Sequence, residues 1–144
     1  MSSKANESVG MFKNGFLCSQ SVFAALSDEY GLDKNFALRI GNGFGAGIAR
    51  KQNICGAVSG AIMLIGLKYG KTKADDTIAH EKTYEIVNQF CDEFEKRNKS
   101  IICKEILGCD IAAAGEKGLF STVCAKCVRD ATEIVEKLLR DYKE

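Results

Sequence analysis

The most apolar run of the sequence, residues 54–70, constrains the fold more than any other segment. At about 1.5 Å per residue, a helix over this run is too short to cross a hydrocarbon layer of about 30 Å. We therefore predict a buried central helix at about residues 54–69, ended by Gly70. Small residues recur four apart in it, so one face lets a neighbouring backbone come close. These pairs are Gly56 with Gly60 and Ala57 with Ala61.

The rest of the sequence has the periodicity of helices and lacks the alternation of strands. It contains no proline, and apolar residues recur about every 3.6 residues between glycines, which predicts an all-α fold. No repeat or polar linker divides the chain, so we predict a single-domain helical bundle over residues 1–144. The glycine-rich stretch 41–47 predicts a turn beside the central helix. Further helices are predicted at about 5–13, 19–30, 33–40, 75–97, 104–107 and 122–142, with a turn-rich connection over 110–118.

Composition and charge narrow the classes of function. The formal net charge is +1, which provides no basic field to attract nucleic acid, so we predict no nucleic-acid partner. Residues 1–10 are polar and lack the apolar core of a secretory signal, and no segment predicts a transmembrane helix. We therefore expect a cytoplasmic protein. The small-residue face of the predicted central helix could serve a homodimer as readily as the core.

Seven cysteines are many for a cytoplasmic protein of this length. An odd number in a reducing compartment argues against a structural disulfide framework and leaves reactive thiols, metal ligands or small buried side chains. Four of them fall within about one turn of a predicted helix N-terminus, where unpaired N–H groups favour a thiolate over a thiol. These four candidate site residues are Cys18, Cys55, Cys103 and Cys124.

Other candidate residues have weaker signals. Cys91 lies on the apolar stripe of the helix predicted over 75–97, which indicates a core position. Cys124 and Cys127 form a Cys-x-x-Cys pattern, which occurs in redox dithiols, zinc sites and iron–sulfur sites alike and selects none of them. His80, the only histidine, lies off the apolar stripe, and we predict a solvated position on the helix.

The sequence resembles the redox-active C_GCAxxG_C_C family over nearly its whole length. The family's hexapeptide Cys-Gly-Ala-x-x-Gly is present at residues 55–60, directly at the start of the predicted central helix. The other matching segments are residues 15–22 (first cysteine motif), 43–47 (glycine turn), Cys103 with 107–110 (third cysteine motif) and Cys124 ahead of Val128 and Ala131 (fourth cysteine motif).

The resemblance implies which cysteines are functional. A related domain accompanies split-Soret cytochromes, where it is associated with an iron–sulfur site. Together with the helix-start placement, the resemblance predicts that the four sulfurs converge within reach of one metal or of each other. Cys109 stands where an apolar residue would serve, which supports a core position. The implied functional set is Cys18, Cys55, Cys103 and Cys124, with Cys91, Cys109 and Cys127 as extras of this sequence.

Three functions are compatible with such a set. In the first, four thiolates ligate an iron–sulfur cluster, and the protein transfers electrons with a redox partner protein. In the second, two thiols form a catalytic pair that cycles with a disulfide, as in thiol–disulfide oxidoreductases. In the third, the four bind zinc structurally, although a domain of this size does not need a metal to fold. We rank the cluster first, the dithiol second and zinc third, ahead of a helical interaction domain with no cofactor. Whether Cys127 replaces or assists Cys124 stays open.

Overall fold

Helices and turns make up the part of the chain that the structure, a computed structural model, describes: residues 2–141. The predicted all-α class is confirmed, since no strand occurs among these residues and only one isolated antiparallel bridge, Ile54 to Ile102, is present. In chain order the helices are α1 (Ser3–Lys13), α2 (Cys18–Leu26), α3 (Lys34–Gly41), α4 (Gly45–Ile48), α5 (Gly56–Tyr69), α6 (Thr77–Asn98), α7 (Cys103–Leu107), α8 (Ile111–Glu116) and α9 (Ala125–Asp141).

The apolar run of the sequence forms α5, which packs against α2, α6 and α9. Its side chains Val58, Leu64 and Ile65 have no exposed surface and belong to the main apolar core. A Cβ atom added to Gly60 would lie 2.7 Å from the backbone oxygen of Ser19. The backbone of α2 therefore lies directly against the glycine positions of α5. Neither α5 nor another helix within residues 2–141 is both long and apolar enough to cross a membrane.

Capping side chains define several helix ends. The carboxylate of Asp33 accepts a hydrogen bond from Asn35 N (3.0 Å), and that of Asp76 accepts one from Ala79 N (3.0 Å). Each bond satisfies an N–H group that has no partner inside its helix. The helix predicted over 19–30 divides into α2 and a 3₁₀ turn (Ser27–Tyr30). The predicted end of the last helix at residue 142 lies outside the described residues.

The prediction of a turn-rich connection over residues 110–118 was wrong. This segment contains α8, whose N-terminus is capped by the Asp110 carboxylate accepting a hydrogen bond from Ala113 N at 2.8 Å. Three consecutive alanines follow Ile111, and alanine has the highest helix propensity, which outweighs the cost of Gly115. A π-helical segment, Phe120–Cys124, then leads directly into α9.

The glycine-rich stretch continues into an uncommon left-handed turn. Every residue from Ala46 to Arg50 has a positive φ, between 48° and 70°, so most of α4 (Gly45–Ile48) belongs to this left-handed turn and is not a regular right-handed helix. Left-handed backbone costs a non-glycine residue roughly 1–2 kcal/mol, so the surrounding contacts must hold the turn in place. Two of these are hydrogen bonds from Gln52 N to Ala46 O (3.1 Å) and from Asn53 N to Gly47 O (2.9 Å). The turn passes beside the start of α5 and forms part of the wall of the cavity described next.

Candidate functional site

Five cysteines line one cavity of about 530 Å³. They are the four that the sequence singles out, Cys18, Cys55, Cys103 and Cys124, together with Cys127. Cys91 and Cys109 do not line it. Most other wall residues are apolar and include Phe12, Phe16, Leu17, Ile106, Leu107 and Phe120. The structure thus brings together cysteines that are as far apart in the chain as residues 18 and 127.

The isolated antiparallel bridge places Cys55 beside Cys103. Cys55 N donates to the carbonyl of Ile101 at 2.8 Å, and Cys103 N donates to the carbonyl of Asn53 at 2.7 Å. Cys55 is the N-cap of α5 and Cys103 is the first residue of α7, so the bridge joins two helix starts. Both side chains are buried. This pairing of two segments almost fifty residues apart has no local signal in the sequence.

Cys18 enters the cavity because α2 lies against the first glycine of α5. A Cβ atom on Gly56 would collide with the sulfur of Cys18, so the second residue of the hexapeptide has to be glycine. Backbone N–H groups of Ala46 and Ser19 donate hydrogen bonds to this sulfur. The Ser19 hydroxyl donates to the carbonyl of Gly41 at 2.7 Å, which ties the start of α2 to the end of α3. Cys18 is therefore positioned by three neighbouring segments.

Cys124 reaches the cavity from a different kind of position. It is the last residue of the π-helical segment Phe120–Cys124, not the first turn of a helix, so the predicted helix-start placement was wrong for this residue. Helical backbone begins upstream of the predicted start at residue 122. Cys124 packs against a small apolar cluster formed by Cys103, Leu107 and Ala114, separate from the main core. That cluster holds Cys103 and Cys124 on the same side of the cavity.

Burial is the main cause of the raised pKa values of Cys18, Cys103 and Cys124. It raises the pKa of Cys18 to about 11, that of Cys103 to about 11 and that of Cys124 to about 12, with the charges of neighbouring cysteines adding to the effect. The pKa of Cys55 is raised well above its usual value, first by a hydrogen bond with Cys127 and then by burial. Backbone N–H groups at the starts of α2 and α5 lower the pKa values of Cys18 and Cys55, but by less. The prediction that helix starts favour thiolates here was wrong, because desolvation opposes the charged form more strongly.

The four cysteines interact electrostatically as one group. The charge of Cys55 raises the pKa of Cys18, and both residues raise the pKa of Cys103. All three of these residues raise the pKa of Cys124. Every pair in the set is therefore close enough for one thiolate to disfavour another. Several thiolates in this apolar cavity would repel one another unless a cation lay among them. A bound metal ion supplies that positive charge and lowers the pKa of its thiol ligands.

The sulfurs line the wall of the cavity without meeting at one point. Within residues 2–141, no group of three or more His, Cys, Asp or Glu side chains stands in an arrangement that could hold a metal ion. Four sulfurs around a single zinc ion, with bonds of about 2.3 Å, would lie roughly 3.8 Å from one another. No such arrangement is present among the described residues.

Cys127 is the cavity cysteine that reasoning from the sequence treated as an extra. It lies on α9, is buried, and its thiol interacts with that of Cys55 and raises the pKa of that residue. Its sulfur also contacts Asn98 Oδ1 at 3.8 Å. Asn98 is held in turn by Lys126 Nζ, which donates to Oδ1 at 3.0 Å, and by Asp130 Oδ2, which accepts from Nδ2 at 3.2 Å. The Cys-x-x-Cys pattern was the only sequence signal for this residue.

The remaining candidates lie away from the cavity. Cys91 is half-buried on α6 against the main core, and Cys109 is half-buried against the small apolar cluster. The carbonyl of Cys109 accepts a hydrogen bond from Gln52 Nε2 at 2.8 Å, which ties the loop after α7 to the left-handed turn. His80 is also half-buried, and its ring lies 4.3 Å from that of Tyr84. Cys91 and Cys109 therefore serve as internal controls for experiments on the five cavity cysteines.

Raising the pH is expected to destabilise the reduced, chelator-treated protein. Three of the cavity thiols, those of Cys18, Cys103 and Cys124, have pKa values of about 11 to 12 when folded, against about 8.5 in an unfolded chain. Their contribution to stability is complete below the unfolded pKa and is lost as the pH rises through the folded values. Thermal denaturation from pH 8 to 11 checks this, with a variant in which the four sequence-predicted cysteines are alanine as the control. Equal decreases in Tm for both proteins would contradict it.

Comparison with known proteins gives one match. Residues 16–138 match the model of a family described as "Putative redox-active protein (C_GCAxxG_C_C)". The matched range contains all five cavity cysteines and all of α2 and α5. Neither the comparison with curated proteins nor the comparison with solved structures gives a match.

Proposed function

The chain belongs to the C_GCAxxG_C_C family of redox-active proteins, and from this premise we propose that it binds an iron–sulfur cluster and transfers electrons. The proposed ligands are Cys18, Cys55, Cys103 and Cys124. The observation that supports this most is that these cysteines, from four separate segments, line one apolar cavity. Ligation by four cysteine thiolates is the usual mode for such clusters.

The charge balance of the cavity supports a metal-containing ligand. Burial and mutual repulsion favour the protonated thiols, and within residues 2–141 no Asp, Glu or His lines the cavity. Iron ions would provide positive charge between the sulfurs, so that the thiols lose their protons as they bind. A donor set made only of thiolates also suits iron–sulfur clusters better than it suits ions that prefer oxygen ligands.

The lack of an arrangement around one point within residues 2–141 favours a cluster over zinc. A single ion requires its ligands to meet around one point, and no such group occurs within residues 2–141. A cluster distributes its protein ligands over several metal ions, so it suits sulfurs that line the wall of a cavity. The structural zinc hypothesis is correspondingly weaker, and the apolar core around α5 shows no need for a metal.

The surrounding residues would influence the reduction potential and the solvent exposure of such a cluster. Backbone N–H groups of Ala46 and Ser19 donate to the sulfur of Cys18, and hydrogen bonds to ligating sulfurs shift a cluster's reduction potential. Apolar walls that include Phe12 and Ile106 would limit the access of water. The cluster itself would supply one-electron transfer. Cys18 and Cys124 are only half-buried, so the mouth of the cavity is where a redox partner protein would approach.

One observation favours a second function, thiol–disulfide exchange. Cys55 and Cys127 line the same cavity, and their thiols interact closely enough for Cys127 to raise the pKa of Cys55. In that reaction the two thiols would lose two protons and two electrons, form a disulfide, and reduce a small-molecule disulfide to two thiols. The raised pKa of Cys55 opposes this function, because the attacking group is the thiolate. We therefore place it second.

Anaerobic reconstitution tests the first function. The reduced full-length chain is incubated with ferrous iron and sulfide, desalted, and analysed for visible absorption, bound iron and bound sulfide. We expect a coloured protein with sulfur-to-iron charge-transfer bands and iron and sulfide in a fixed ratio to protein. Protein that stays colourless and binds no iron would contradict the proposal. A disulfide between Cys55 and Cys127, combined with reduction of a small disulfide, would instead support the second function.

A further inference from the structure

The cavity extends outward beyond its cysteines. Cys55, Cys103 and Cys127 are buried, whereas three apolar side chains on the wall are well exposed and mark the mouth. A volume of about 530 Å³ lies in the range of small-molecule pockets, roughly 300–1,000 Å³, which are also mostly apolar with a few polar groups. The exposed side chains at the mouth are Phe16 (39%), Leu17 (37%) and Phe120 (39%).

Two cations line the same cavity, and no acidic side chain of the part of the chain that the structure describes does so. Lys13 is the last residue of α1, and Arg50 ends the left-handed turn; both side chains are exposed. Within residues 2–141, neither has a hydrogen-bond or ion-pair partner. Arg97, by contrast, is an exposed basic residue that is paired: it binds Asp130 and Glu133 at 3.2 and 2.8 Å. The charge at the mouth is therefore positive and unbalanced.

We propose that the outer part of this cavity binds an aromatic organic anion. Its ring system would lie against Phe16, Leu17 and Phe120, and its acid group, a carboxylate or a sulfonate, would pair with Lys13 and Arg50. Aromatic side chains prefer stacked or edge-to-face contacts with rings, which favours an aromatic over an aliphatic ligand. Pairing beside an apolar wall is stronger than pairing in open water, because the effective dielectric constant is lower. This proposal does not rest on the proposed cluster, because it is argued from Lys13, Arg50 and the exposed side chains at the mouth.

The left-handed turn supports this assignment. It carries Arg50 at the cavity, with a φ of 70°, although four of its five residues are not glycine. Strained backbone of this kind is found where the surrounding structure fixes a residue for binding or catalysis. The hydrogen bond from Gln52 Nε2 to the carbonyl of Cys109 anchors the end of the turn to the segment after α7. The backbone that carries Arg50 is thus anchored just after the turn.

Fluorescence titration with 1-anilinonaphthalene-8-sulfonate tests the proposal on the reduced full-length chain. We expect saturable binding of one probe per chain, and several-fold to about tenfold weaker binding of the uncharged analogue N-phenyl-1-naphthylamine. Octanesulfonate, an aliphatic anion, should displace the aromatic probe poorly. Displacement by octanesulfonate at equal concentration would overturn the aromatic preference, and equal affinity for the charged and uncharged probes would overturn the role of the cations.

Charge variants locate the site. Lys13→Gln and Arg50→Gln should each weaken binding of the anionic probe several-fold and leave binding of the uncharged probe unchanged. Lys51→Gln is the matched control, because Lys51 follows Arg50 but does not line the cavity. An equal effect of Lys51→Gln, or no effect of the other two, would place the probe elsewhere and overturn the proposal. If circular dichroism shows that a variant is unfolded, the wild-type chain still tests the proposal. Added salt should weaken binding of the anionic probe and leave binding of the uncharged probe unchanged.

Discussion

Single replacement of Cys18, Cys55, Cys103 or Cys124 by serine is expected to abolish or severely weaken retention of a reconstituted iron–sulfur cluster. A serine hydroxyl is a hard, weakly acidic donor and is a poor substitute for a soft thiolate ligand of iron. Each of these side chains lines the same cavity, so each replacement would leave the proposed cluster with one cysteine ligand fewer. The measurement is the iron and sulfide content after anaerobic desalting, together with the visible absorption.

The other cysteines provide matched controls for this series. Cys91→Ser and Cys109→Ser should retain the cluster, because neither residue lines the cavity. For Cys91, replacement by alanine should affect stability more than redox behaviour, since its side chain packs against the main core. Cluster loss in either control, or tolerance of serine at two of the four proposed positions, would contradict four-cysteine ligation.

Cys127→Ser tests whether Cys124 or Cys127 is the fourth ligand of the proposed cluster. If Cys124 is the fourth ligand, Cys127→Ser retains the cluster and Cys124→Ser loses it. The opposite result would make Cys127 the ligand, consistent with its interaction with Cys55. If instead only Cys55 and Cys127 are sensitive and thiol exchange is the activity lost, the second function is the correct one.

Gly60→Ala is expected to destabilise the fold by about 1–3 kcal/mol, the usual cost of overpacking. The new Cβ would lie 2.7 Å from Ser19 O and 3.2 Å from Phe23 N, both backbone atoms of α2, which has to move away. At roughly 2–4 °C of Tm per kcal/mol for a chain of this size, thermal denaturation resolves the change. Because Cys18 begins α2, the same movement should also weaken cluster retention.

Gly66→Ala is the matched control in the same helix. A Cβ on Gly66 meets nothing within 4 Å, so alanine should be neutral or stabilise the protein by up to about 1 kcal/mol through its higher helix propensity. The pair separates a packing effect from a general effect of glycine in α5. Equal destabilisation by both substitutions would contradict the close approach of α2, and so would a Gly60→Ala variant as stable as the wild type.

The electrostatics of the cavity link these predictions. The thiols are stable as neutral groups in an apolar environment, and each would repel the others as a thiolate. A metal ligand that supplies positive charge converts this repulsion into attraction, so its binding should release protons and should weaken as the pH falls. When no cation compensates the thiolates, ionisation of these thiols at alkaline pH should lower the stability of the folded protein.

Local sequence determined most of the helices. Periodicity near 3.6 residues between glycines predicted them, and Asp33 and Asp76 cap two of these helices through hydrogen bonds to backbone N–H groups of their first turns. Spacing of small residues four apart predicted a close backbone approach, and α2 lies against Gly60. These features depend on contacts within one turn or one helix face, which a single segment specifies. The missed helix α8 shows the limit, since a short alanine-rich stretch with a glycine carries opposing signals.

Only the tertiary structure decided how the sulfurs meet and how they ionise. The bridge that places Cys55 beside Cys103 pairs distant segments, and the contact of Cys55 with Cys127 depends on how α9 packs against α5. Helix starts alone favour thiolates, but the amount of desolvation depends on what covers each sulfur, and here it reverses the preference. Burial and long-range pairing are properties of the packed chain, and no local pattern of residues encodes them.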